Sequence, residues 1–191
     1  MKFLKRFAAL LAVLMLSGCG TVETVPQLSG EPMTISPTEF SAETKKVLDI
    51  LDDEVMFYTY IIDETVKSVR LELWLYEDGE WTSAGNVKGN EDVTERDIVL
   101  RIKDTEIDLI QVSDSGQNKY TFPMTQEYTG AMMTLEERLQ HTESIVPEEE
   151  VVLYYKVGTD ADGMFADRDF RQIPCSAGMA LTITFSAEDA E

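Results

Sequence analysis

Three groups of residues have the types and spacing to do chemistry. The first is acidic: Asp160, Asp162, Asp167 and Asp169 fall within Gly158-Thr159-Asp160-Ala161-Asp162-Gly163-Met164-Phe165-Ala166-Asp167-Arg168-Asp169. Calcium takes six to eight oxygens, and an EF-hand loop wraps them around a sharp turn at glycine. Counted against that loop, Asp160, Asp162, Gly163 and Asp169 stand at positions three, five, six and twelve. Gly158 and Ala166 stand at positions one and nine, the closing residue is Asp instead of Glu, and no helix pair flanks the stretch. It reads as a solvated acidic loop, or as a looser Ca2+ site with the four aspartates as ligands. The second group is aromatic. Trp74 and Tyr76 share one face of a predicted strand, opposite Leu71 and Leu73, and Trp81 follows across a turn. Such rings with polar neighbours form a platform for sugars, or they pair across strands with Tyr58, Tyr60 or another outer-face residue. The third group is His141 and Cys175, a single histidine and a lone thiol with no nucleophile signature near either. No Gly-x-Ser-x-Gly, His-Glu-x-x-His or phosphate loop occurs. With 36 acidic residues in the chain, chance carboxylate pairs carry no information.

The first twenty residues concern location. Lys2, Lys5 and Arg6 form a basic start, and residues 7–16 an unbroken apolar run. Ten helical residues reach about 15 Å, half of the roughly 30 Å hydrocarbon layer, so the run predicts an export signal instead of a membrane span. Leu16-Ser17-Gly18-Cys19 resembles the lipobox of bacterial lipoproteins. In that family the cysteine sulfur receives a diacylglycerol and the chain is cut before the cysteine. The resemblance implies a signal peptide at 1–18 and an acylated Cys19. It places the protein on the extracytoplasmic face of a bacterial cell membrane, with the lipid bilayer as its first partner. Two acyl chains, at about 0.8 kcal/mol per buried CH2, hold a protein stably.

Composition bounds the rest. Removing residues 1–18 takes three basic residues and no acidic one, so the net charge of −20 becomes near −23. Nucleic acid is excluded as a partner, because its binding depends on Lys and Arg neutralising phosphates. So is lying flat on an anionic membrane. About 173 residues remain, enough for one domain with an ordinary core. With Cys19 lipidated, Cys175 has no disulfide partner in the chain.

Residues 19–36 mix Thr, Ser, Pro and Gly without periodicity and read as the lipidated cysteine and a flexible tether. Residues 37–191 read as a single domain. Ser36-Pro37-Thr38-Glu39 has the form of a capped helix start. Phe40, Val47, Leu48 and Leu51 recur at helical spacing, predicting one N-terminal amphipathic helix over about 38–52. From Val55 the period changes to two. Val69, Leu71, Leu73 and Leu75 alternate with polar and aromatic residues, and Glu77-Asp78-Gly79-Glu80 supplies a hairpin turn. Further strands are expected near 98–103, 106–112, 119–122, 151–157 and 180–185. One more is expected near 130–135, unless 134–141 is a short helix. The pattern predicts a mainly-β fold, an antiparallel β-sandwich or a partly open barrel, with that one helix. The domain resembles small lipoproteins of Gram-positive bacteria. The functional expectation is a non-catalytic binding or accessory module for an envelope protein or glycan, without a required cofactor. The alternatives are a structural lipoprotein pairing with a membrane complex, and an enzyme acting on the cell wall.

Overall fold

The computed structural model describes residues 32–48, 50, 54–113, 116–124, 127–128, 130–160 and 167–190. In chain order these form β1 (Thr34–Pro37), α1 (Ala42–Leu48), β2 (Glu54–Ile61), β3 (Ser68–Glu77), β4 (Glu80–Asn90) and β5 (Glu95–Ile102). Then follow β6 (Glu106–Ser113), β7 (Gly116–Pro123), β8 (Met133–Arg138), β9 (Glu143–Ser144), β10 (Glu150–Thr159), a 3-10 turn (Phe170–Gln172) and β11 (Ala177–Ser186). One sheet has the order β7-β6-β5-β2-β1-β9 and the other β4-β3-β11-β10-β8. All ladders are antiparallel, and the two sheets do not close into a barrel.

Alternation explains the layers. Val69, Leu71, Leu73 and Leu75 of β3 point inward and pack with Met56, Tyr58 and Tyr60 of β2. The Tyr58 hydroxyl donates to Leu153 O at 2.9 Å, tying the first sheet to β10 of the second. The predicted turn at Asp78-Gly79 forms with φ of 53° and 91°. Positive φ at both central residues matches the twist of a tight hairpin. On one flank β7 and β4 lie together, the Phe122 ring filling the space beside Gly85. On the other flank the chain crosses from β8 to β9 and so from one sheet to the other.

The helix expectation is corrected. Thr34–Pro37 is a strand whose Ser36 and Pro37 pair with Thr59 and Tyr58, so this segment starts no helix. The helix that follows, α1, has seven residues and buries none of them; Val47 is 62% exposed. Ser41 is its cap, accepting from the Thr44 amide at 3.2 Å. Phe40 turns away to meet Phe57 edge-to-face at 4.9 Å, which removes the anchor of the supposed apolar stripe. Leu51 lies outside the described residues. Residues 133–138 form an edge strand and not a helix. Among the described residues no helix is long and apolar enough to cross a membrane.

Candidate functional site

Trp74 and Tyr76 stand on the outer face of the β4-β3-β11-β10-β8 sheet, and Trp81 lies opposite Tyr76 across the hairpin. Tyr58 and Tyr60 are buried on the inner face of the other sheet, so cross-strand pairing of the rings with them does not occur. The neighbours of Trp74 are Ser83 and Ala180, and those of Tyr76 are Trp81 and Gly178. A strap, residues 167–176, lies over these rings and builds a second cluster with Tyr155, Val157, Phe170, Ile173 and Ala180. Phe170 meets Trp81 edge-to-face at 4.6 Å. The Arg171 guanidinium lies 4.3 Å from the Trp74 ring centre and 4.2 Å from that of Phe170. It also binds Glu150 through both terminal nitrogens, at 2.8 and 3.2 Å. Trp74 Nε1 donates to Thr182. The rings therefore do not present a bare stacking face.

The acidic candidates are divided. Asp160 accepts from the Met132 amide at 3.3 Å. Asp167 accepts from the Asp169 amide at 3.0 Å, and Asp169 caps the 3-10 turn through the Arg171 amide at 3.1 Å. Asp162 lies outside the described residues, as does Cys19. Among the described residues no group of three or more His, Cys, Asp or Glu is placed to hold a metal ion.

Cys175 packs against the second cluster, and burial pushes its thiol up to about 11. At neutral pH such a thiol is protonated and a poor nucleophile. His141 instead lines a groove of about 610 Å3 at the seam where β8 leaves the sheet. Its walls include Leu139, Val146, Val151, Val152, Tyr154 and Tyr155. Five carboxylates line it (Glu137, Glu143, Glu149, Glu150 and Asp167) against two guanidiniums, Arg138 and Arg168. The volume falls within the range of ligand pockets, while the lining is more charged than in most of them. Ser144 and Glu143 also line the groove, but His141 has no hydrogen bond among the described residues, so no relay is assembled.

Beside the groove, between the sheets, burial and a hydrogen bond with Glu136 push the Glu54 carboxyl up to about 7. Glu136 is held below the usual range by that bond and by Lys156, 3.4 Å away. The Tyr154 hydroxyl is buried here without a hydrogen-bond partner among the described residues. Sequence reasoning missed the groove, whose residues are scattered over 137–155 and 167–168. Its only linear traces are His141 and the run Glu148-Glu149-Glu150.

No protein-family model, curated protein or solved structure matches this chain.

Proposed function

We propose that the chain is a lipoprotein held on the extracytoplasmic face of a bacterial membrane by acylated Cys19. Its sandwich is a non-catalytic module that binds an envelope protein at the seam groove. The observation that carries this reading is the position of the groove. Its wall residues Glu143 and Ser144 form β9, which pairs with Ile35 and Thr34 at the start of β1. The Ile145 amide donates to Met33 O at 2.9 Å, so the tether enters the domain beside the groove. Taken as the tether that their composition suggests, the twelve residues 20–31 would span roughly 17–21 Å on average. A groove on that leash stays within reach of proteins embedded in the same membrane. The glycan reading is less favoured, because Arg171 and Phe170 already occupy ring surfaces of Trp74 and Trp81.

The test is chemical cross-linking of the full-length protein in its native membranes, followed by purification, beside a Cys19→Ala form. The expected result is one reproducible membrane-protein partner, lost or weakened in Cys19→Ala. A fully soluble wild-type protein, or capture that ignores the anchor, would overturn the reading.

A further inference from the structure

The floor of the groove is a strand edge. β8 pairs with β10 only as far as Arg138 opposite Tyr154, and the Leu139 amide donates to Leu153 O at 2.9 Å. There the chain departs for β9. Residues 150–152 continue β10, with Glu150, Val151 and Val152 opposite Thr184, Ile183 and Thr182 of β11. On their other side, among the described residues, no strand lies beside them. Leu153 is the extra residue of a bulge in this strand, which bends it at the place where β8 leaves.

We propose that the groove takes an extended peptide bearing Lys or Arg, added as a short strand along residues 150–152 in the line that β8 vacates. This rests on the binding-module reading and names the chemistry of its partner. In strand addition the main-chain hydrogen bonds supply affinity and the side-chain pockets supply selectivity. Three residues at about 3.3 Å each give roughly 10 Å of ladder, short but continuous with an existing sheet. Charge selects the occupant. Glu150 is held by Arg171, while Glu137, Glu143 and Glu149 have no ion pair among the described residues. The protein's own tether does not meet the requirement: residues 20–31 include Glu23 and Glu31 and no basic residue.

The experiment is selection of bead-displayed random hexapeptides with the full-length chain in detergent, in parallel with Glu143→Gln/Glu149→Gln. Neither carboxylate has an ion-pair partner among the described residues, so the double variant should fold and melt as the wild type does. Selected peptides should be enriched in Lys or Arg. Methylating alternate backbone amides of the best one should weaken it about tenfold, by removing ladder hydrogen bonds. The double variant should bind it about threefold to tenfold less tightly. No selected peptide, selection without basic residues, or indifference to methylation or to the double variant would each overturn the proposal. If these fail while a partner is still captured from membranes, the module reading stands and only the peptide chemistry falls.

Discussion

Asp108 and Glu54 show opposite ways of placing a carboxylate in this sandwich. Asp108 is fully buried, and its Oδ2 lies 2.9 Å from both Lys103 and Lys119, while Thr121 donates to its other oxygen at 2.7 Å. Burial pushes this carboxyl up, but the two lysines and the threonine outweigh it and hold it well below its usual range. A depressed carboxyl stabilises the fold above its unfolded pKa of about 4, and that stability is lost as pH falls below it. Asp108→Asn should cost about 1–3 kcal/mol in urea unfolding at pH 7, and should flatten the acid limb of the stability profile. Equal acid sensitivity of wild type and variant would contradict this. Glu54 has the reverse sign. Pushed up to about 7, it favours the fold below pH 4.5, and that contribution fades as pH rises through 7. Glu136 and Tyr154 face it as acids, and Lys156 and Arg138 as bases. Glu54→Gln should therefore raise the melting temperature at pH 8 and leave it nearly unchanged at pH 4. The group is partly exposed, so the gain should stay under about 1 kcal/mol.

At the scale of elements, the strap depends on Arg171 and Gly178. A Cβ on Gly178 would sit 2.5 Å from Trp81 Cη2, and that ring is pinned by Phe170 and Tyr76. Gly178→Ala should cost about 1–3 kcal/mol by overpacking. Arg171→Ala removes the stack on Trp74 and the bidentate bond to Glu150. It should cost about 1–2 kcal/mol and shift tryptophan emission to the red. Unchanged emission would mean the strap does not rest on that residue. The elements also show what a sequence can reveal. The β3 alternation was legible because one face sends Val69, Leu71, Leu73 and Leu75 into the main core while the other carries Arg70, Glu72, Trp74 and Tyr76. β4 was missed beyond Trp81, since Thr82-Ser83-Ala84-Gly85-Asn86 lies on an edge and most of it stays exposed. A bulge between the partners of Leu73 and Trp74, together with Lys88, makes that edge a poor template for other strands. The supposed helix failed for another reason. Phe40 and Val47 had helical spacing, yet Phe40 belongs to a contact with β2 and Val47 to solvent.

Across the whole molecule, acidity, tether and groove fit one account. A chain of net charge near −23 after the proposed cleavage is repelled by anionic head groups within a Debye length of about 8 Å, and the proposed tether of roughly 20 Å would clear that layer. The motif behind the proposed anchor is legible because Leu16-Ser17-Gly18-Cys19 is local in sequence. The groove is not, because it arises where β8 changes sheets and the strap's first residues meet β10. The rings were legible as an outer face, but the strap that covers them was not, since Phe170-Arg171-Gln172 has too few residues to show a period. The most direct test places a photoreactive amino acid at Gln140, in the groove, or at Lys88, on the opposite flank, and irradiates full-length protein in its native membranes. The account predicts a protein adduct from position 140 that is lost with Cys19→Ala, and none from position 88. An adduct from position 88 alone, or from neither, would contradict it.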